Sequence, residues 1–431
     1  MKLWLTDEGI DRAKLDQVIA IQWAKAEGVK AKNKPKSQAL FYSLMANYFQ
    51  NTKNASESGD AWVLHTTSVP VEVFTSMGLP SILGPLSSSS ILRSLKLQPE
   101  CFQAADEIGL NYGICNGHRS QVGIFLRGWF PRPSCVINLN GSQCDNVAKT
   151  LGIVAYVYNV PEFFLDVPYF YSDRGVAYLA NEIKKMIHFL EEVTHHRMDW
   201  AKLEEACHIS NRMARLSSEI GRLAHRVPCP MDSRSGGQQY LIHWMYAGQP
   251  EGLKFFEALR DEVRARADQG IGVHPNEKHR LMSVFLPHGN PRILDWMRQE
   301  KGAVVVSEPY YFCWKDEELD PSKPLEFLAR RMYNDPLHLF AGGRVFEDRL
   351  LDRLVQEAKD SKAHGAIDWA NIAGCRNHCS LGRPIREALK EKAGIPVGLV
   401  DVDLNDQSQA GEDLAKEKLE TFFELLESWT K

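Results

Sequence analysis

Residues 365–404 read "GAIDWANIAGCRNHCSLGRPIREALKEKAGIPVGLVDVDL". An apolar run (365–374) ends on a glycine. A stretch with charged residues at helical spacing (380–394) follows and closes on Gly394, and a second apolar run (395–404) begins at once. Strand, helix, strand at this spacing predicts one parallel βαβ unit, because parallel strands need a crossover of about a dozen residues or more. A helix, "AGEDLAKEKLETFFELLESW" (410–429), closes the chain.

The same alternation runs upstream. "AWVLHTTS" (61–68), "LPSILG" (79–84), "SCVINLN" (134–140) and "GIVAYVYNV" (152–160) read as strands with helical stretches between them, among them "VPVEVFTSMG" (69–78). "RLMSVFLPH" (280–288) and "AVVVSEPYYFCW" (303–314) read as strands, flanked by helices over 291–302 and 346–363. Long amphipathic helices fill 172–197 and 199–220, and 232–270 is mostly helical. At the N-terminus, 35–51 has helical spacing and the polar "KNASESGD" (53–60) reads as a linker. The expected fold is α/β: two flavodoxin-like (Rossmann-like) parallel-sheet domains with an N-terminal helical segment and connecting helices. The expected boundaries are a helical segment over 1–58, a first α/β domain over 59–198, a helical connection over 199–276 and a second α/β domain over 277–431.

With 431 residues the chain exceeds what one core supports. Its net charge of −4 offers neither a nucleic-acid footprint nor a polybasic membrane patch. No apolar run reaches the ~18 residues of a membrane span, and the N-terminus lacks the apolar core of a signal peptide. A cytoplasmic location is expected, in which the nine cysteines stay reduced.

Ligands of open α/β sheets collect at the carboxyl ends of strands. Cys144 follows "CVINLNGSQ", Cys375 follows "AIDWANIAG", and Cys115 lies in the glycine-punctuated "NYGICNGHRSQVG". A helix N-terminus behind such a thiol favours the thiolate, the form that binds metal. Most cysteines at strand ends are packing residues, but three in equivalent positions make ligation an equal alternative to packing. "CRNHC" (375–379) has zinc-ligand spacing, yet a structural zinc site needs a second close pair and the sequence has none. Thiolates brought together by the fold suit an iron–sulfur cluster better. There is no P-loop, no well-placed G-x-G-x-x-G and no G-x-S-x-G nucleophile elbow, so any ATP hydrolysis belongs to another polypeptide. The paired His195 and His196 read as surface residues.

The order of these motifs resembles a known family. "GSQCDNVAKTLGIVAYVYNVPEFFLDVPYF" (141–170), "AWVLHTTSVPVEVFTSMGL" (61–79), "ADEIGLNYGICNGHRSQVGIFLRG" (105–128) and the stretch from 365 onward resemble segments of the 2-hydroxyacyl-CoA dehydratase and ATP-dependent benzoyl-CoA reductase subunits. The resemblance runs from about residue 60 to the C-terminus. It implies a [4Fe–4S] cluster held by Cys115, Cys144 and Cys375, with Cys379 as rival for the third place. It also implies a paralogous second subunit in a heterodimer, a separate ATP-hydrolysing [4Fe–4S] activator protein and an acyl-CoA substrate. In the dehydratases one electron turns the thioester into a ketyl radical anion that loses water; in the reductases electrons dearomatise a ring. An electron-relay or non-catalytic partner subunit is the third reading. Many dehydratase subunits carry Pro-Trp-Ser after the third cysteine where this chain has "RNHCS", which leaves open the substrate and which paralogous subunit this is.

Thr67, Ser68 and Glu72, in the first strand-to-helix turn, are the expected catalytic side chains, able to bond the thioester oxygen or the leaving hydroxyl. For Thr67 or Ser68 the alternative is a helix cap. Glu72 is expected in a partly dry cleft, with its pKa raised. His118 and Arg119 are candidates to balance cluster charge or meet CoA phosphates.

Overall fold

The computed structural model describes residues 9–32, 34–84, 94–111, 113–140, 144–169, 171–231, 233–285, 290–309, 319–335, 339–340, 347–371, 374–403 and 408–429. The chain forms two compact units. The first comprises Met1–Ala214, Leu241–Ala258 and Glu317–His338; the second comprises Arg215–Tyr240, Leu259–Asp316 and Leu339–Lys431.

In the first unit, β1 (Val63–His65), β2 (Ser81–Leu83), β3 (Cys135–Asn140) and β4 (Glu162–Asp166) form an all-parallel sheet in the order β2-β1-β3-β4. The second unit repeats that order with β5 (His279–Ser283), β6 (Ala303–Ser307), β7 (Gly365–Asn371) and β8 (Val397–Val402), arranged β6-β5-β7-β8. Strands β1, β5, β6 and β7 are buried at every residue, as expected of parallel strands covered on both faces. The expected α/β fold is the one observed. The strand order reverses direction between β1 and β3, and again between β5 and β7. At such switch points the loops leaving adjacent strands part and open a crevice for ligands.

The helices of the first unit are α1 (Ala13–Ala31), α2 (Lys36–Ser58), α3 (Val71–Ser76), α4 (Gln98–Glu107), α5 (Asn116–Leu126), α6 (Asp145–Tyr158) and α7 (Asp173–Thr194), with α8 (Trp200–Ala224), α9 (Ser233–Tyr246) and α10 (Pro250–Asp268) running on beyond its bounds. Later come α11 (Pro291–Lys301), α12 (Pro324–Asn334), α13 (Glu347–Asp360), α14 (Arg376–Ala388) and α15 (Gln409–Trp429). The first core joins Val63, Ile137, Leu139 and Leu165 of the sheet to Leu179, Ile183 and Met186 of α7 and to Phe327, Leu328 and Met332 of α12. The second joins Leu281, Ile367, Trp369 and Val400 to Ile293 and Met297 of α11 and to Leu419, Phe422 and Phe423 of α15. Helix ends follow local chemistry. Ser172 accepts from the Gly175 amide at the start of α7. Asn290 caps α11, Pro291 opens it, and Gly302 ends it at φ +60°.

Two expected elements are corrected. "GIVAYVYNV" is not a strand: residues 152–158 complete α6, and the fourth strand is the next segment, "EFFLD". The buried positions Leu151, Val154, Ala155 and Tyr158 repeat at helical spacing, and Tyr156 between them is 59% exposed. The expected linker at 53–60 is also helix as far as Ser58: Thr52 and Ala55 continue the buried face of α2, and the turn comes only at Gly59, φ +78°. The last crossover helix starts at Arg376 rather than 380 and ends in a π-turn, Leu389–Ala393, before Gly394.

Candidate cluster and substrate site

The turn leaving β1 is buried and polar. His65 is 1% exposed and its Nδ1 lies 2.7 Å from the Thr66 carbonyl, which only accepts, so Nδ1 carries the proton. Its Nε2 and the Thr66 hydroxyl are sealed from solvent and have no partner among the described residues. Burial pulls His65 down to about 4 and His243 to about 3, so both rings are neutral at neutral pH. The sign follows. An unfolded chain protonates these rings near 6.5 and the folded chain does not, so their contribution is complete above pH 6.5 and is lost as pH falls toward 4. At pH 5 the loss is about 2 kcal/mol for each ring. Urea unfolding at pH 7.5 and pH 5 is expected to show the lower midpoint at pH 5, and His65→Gln is expected to flatten that slope; an unchanged slope in the variant contradicts the assignment.

Ser68 sits at φ +63°, a left-handed conformation that costs a non-glycine residue about 1 kcal/mol or more. Its hydroxyl is donated to the Asp335 carboxylate. The N-cap of α3 is Pro70, which supplies no side-chain cap. Thr67 is 9% exposed beside it. Glu72 lies neither in an open cleft nor on a surface helix face. It is 0% exposed, and Arg331 donates to both carboxylate oxygens, with Nη2 2.7 Å from Oε2; Ser210 Oγ donates to Oε1 as well. Desolvation lowers the Arg331 guanidinium to about 9, opposed by the Asp335 charge, so it stays a cation at neutral pH. A Cβ at Gly248, where φ is +74°, would stand 2.7 Å from Glu72 Cγ. Only glycine lets that loop close over the pair.

The three candidate ligand cysteines share one local geometry. Cys115, Cys144 and Cys375 are the N-cap residues of α5, α6 and α14, and each is part-exposed. Cys144 and Cys375 lie beyond the carboxyl ends of β3 and β7. Cys115 follows no strand; it lies between α4 and α5. Arg119 holds its loop: Nε donates to the Leu110 carbonyl at 3.0 Å, Nη1 to Asn116 at 2.8 Å and Nη2 to Asp106 at 2.5 Å. That guanidinium is turned inward, 5% exposed, and is not the CoA-phosphate group suggested by sequence. Cys379 is exposed on the first turn of α14, its amide donating to the Cys375 carbonyl at 3.2 Å.

Burial separates these thiols from the rest. Cys101 and Cys135 are pushed up to about 12, and Cys207 is raised by the same cause, so they pack as neutral thiols. Cys229 is buried, its Sγ 3.4 Å from the Met231 carbonyl. Cys313 lies outside the described residues. His196 is tied to Asp60 and to the Met77 carbonyl, each at 3.0 Å, which gives it a structural duty.

One pattern escaped the sequence reading. Cys-x-x-His occurs twice, as Cys115–His118 and Cys375–His378. His118 Nε2 lies 3.7 Å from Cys144 Sγ, and its Nδ1 is sealed from solvent without a partner among the described residues. Burial holds this ring near 4. His378 is occupied differently: its Nε2 lies 3.3 Å from the buried Asp368 carboxylate, which also receives Arg386 Nη1 at 2.5 Å. Among the described residues no three His, Cys, Asp or Glu side chains form a metal-holding group. The donor chemistry nonetheless fits an iron–sulfur cluster: soft thiols at helix N-termini, part-exposed, one of them touched by an imidazole.

The chain belongs to the family described as 2-hydroxyglutaryl-CoA dehydratase, D-component, whose model matches residues 66–426. Its relatives include the (R)-phenyllactyl-CoA dehydratase alpha subunit of Clostridium sporogenes, 22% identical over 82% of this chain and 86% of that one. The lactoyl-CoA dehydratase subunit alpha of Anaerotignum propionicum is 23% identical over 88% of this chain and 92% of that one. The (R)-2-hydroxyglutaryl-CoA dehydratase subunit alpha of Acidaminococcus fermentans is 25% identical over 36% of this chain, a match spanning about a third, 34%, of that subunit. No helix among the described residues is long and apolar enough to cross a membrane.

Proposed function

We propose that this chain is the iron–sulfur subunit of a 2-hydroxyacyl-CoA dehydratase, working with a paralogous second subunit and with an ATP-hydrolysing activator protein. The observation that carries the reading is the shared setting of Cys115, Cys144 and Cys375, each the N-cap of a helix and each part-exposed. These three thiolates would hold a [4Fe–4S] cluster. Such a group, when bound, supplies one electron at low potential, the chemistry that turns a 2-hydroxyacyl thioester into a ketyl radical anion able to release its hydroxyl as water.

The chain's own residues orient and exclude. The helix N-termini stabilise the thiolates. We assign the Thr67 hydroxyl to the thioester oxygen or the leaving hydroxyl, and Ser68, whose proton goes to Asp335, to accepting from the leaving hydroxyl. Glu72, both oxygens already engaged, acts through Arg331 as a positioning residue for that turn. The buried lining of the turn keeps water from a reactive radical. The relatives' names support dehydration over ring reduction.

Protein purified without oxygen, together with its partner, is expected to carry about four irons per chain and a broad absorbance near 400 nm that bleaches in air. With activator and ATP it is expected to dehydrate a 2-hydroxyacyl-CoA and leave benzoyl-CoA untouched. Stoichiometric zinc without iron overturns the cluster; turnover of benzoyl-CoA alone overturns the dehydratase.

A further inference from the structure

His118 enters α5 at its third residue, and that turn is fixed by its amide, which donates to the Cys115 carbonyl at 2.9 Å. The ring thereby reaches across to the neighbouring loop, where Nε2 stands 3.7 Å from Cys144 Sγ. Its other nitrogen, Nδ1, is sealed from solvent and has no partner among the described residues. These two facts decide which nitrogen bears the proton. Were Cys144 a thiol donating to Nε2, the ring proton would sit on Nδ1, a buried N–H with no acceptor. Such orphaned donors are rare in folded proteins because their desolvation goes uncompensated. With Cys144 as a thiolate, which only accepts, Nε2 carries the proton and Nδ1 keeps a bare lone pair, the cheaper atom to leave unmet. The geometry therefore selects the Nε2–H tautomer, with the Cys144 sulfur as its acceptor.

We infer that His118 is a positioning residue whose Nε2–H, held on the Cys144 sulfur, raises the electron affinity of the cluster that sulfur ligates. The inference rests on the cluster reading above. A hydrogen bond to a ligand sulfur draws off negative charge, and the reduced level carries one more negative charge than the oxidised one, so the contact favours the reduced level. The step involved is the gain of one electron from a one-electron reductant. No bond forms or breaks, and the Nε2 proton stays where it is. His378 is not equivalent despite its matching place after Cys375, because its Nε2 is engaged by Asp368.

The test is a reductive titration of the full chain, purified without oxygen with its partner subunit, using dithionite and mediators and following the spin signal of the reduced cluster. His118→Phe keeps a ring and removes the N–H; His118→Gln keeps an N–H donor. The Phe variant is expected to retain its iron and to show about a tenfold smaller ratio of reduced to oxidised cluster at a fixed potential, a midpoint about 59 mV lower for one electron. The Gln variant is expected to fall nearer the wild type. Identical midpoints in all three overturn the inference and leave the cluster standing. If the Phe variant fails to hold iron, wild-type protein labelled with 15N-histidine decides: a 15N coupling to the reduced cluster supports the contact, and its absence overturns it. Wild-type protein without iron overturns both readings.

Discussion

Replacing Cys144 by serine is expected to strip the iron proposed for the anaerobically purified chain, from about four atoms to background, and Cys115→Ser and Cys375→Ser are expected to do the same. The expectation follows from ligand chemistry. A serine hydroxyl does not ionise at neutral pH and offers a hard oxygen where iron–sulfur chemistry needs a soft thiolate. None of the three sits in a packed core, so the fold should survive, with circular dichroism and melting near wild type. Cys101→Ser and Cys135→Ser give the opposite result. Both thiols are 0% exposed and held neutral by burial, so these variants lose stability by placing a hydroxyl in an apolar site and keep the metal. The decisive comparison lies in α14. Cys375 is the cap at the end of the β7 loop and Cys379 is exposed one turn later. Iron retained in Cys375→Ser but lost in Cys379→Ser would transfer the third place to Cys379.

How far the sequence carried this reading depended on where each signal was stored. Parallel strands buried on both faces are continuous apolar runs, and β1, β3, β5 and β7 stood out as such. Residues 152–158 are just as apolar but buried on one face only. There the spacing of Leu151, Val154, Ala155 and Tyr158 is the better guide, and the run's apolarity misleads. The linker expected at 53–60 failed for the converse reason: polar residues on the exposed side of α2 resemble a loop when the buried side, Thr52 and Ala55, is sparse. The cysteines at strand ends were legible because the loop position follows from the strand. The partners of Glu72 were not. Arg331 is 259 residues away and Ser210 is 138 away, on helices whose own periodicity says nothing of what they meet. The same distance hid Asp335 from Ser68. His118 was visible as a neighbour of Cys115, but its contact is with Cys144, a loop 26 residues on.

Glu72→Gln is expected to lower both the stability and the turnover of the protein while leaving its iron content intact. The carboxylate is buried and takes a two-pronged hydrogen bond from Arg331, and the substitution leaves that guanidinium with the Asp335 charge but without its hydrogen-bonded carboxylate. Breaking a buried pair from one side costs about 3–5 kcal/mol. For a unit of this size that lowers the melting temperature by roughly 10 °C. Removing both charges, as in Glu72→Gln with Arg331→Met, leaves no uncompensated guanidinium, and Asp335 keeps the Ser68 hydroxyl as a donor, so the double variant should cost less than Glu72→Gln alone, with a favourable coupling of about 1–3 kcal/mol between the two sites. Turnover falls because the pair and the Ser68–Asp335 bond together fix the strained turn that presents Thr67 and Ser68. The iron is expected to stay because Cys115 and Cys144 cap α5 and α6, whereas Glu72 lies on α3 and Arg331 on α12. Thermal melts, iron content and turnover measured on the same preparations separate the two roles. An anchor moves melting and turnover together, and the double variant recovers part of the melting. A carboxylate that moves protons for substrate would leave melting near wild type and abolish turnover in both variants, and that outcome would return Glu72 to the reacting groups.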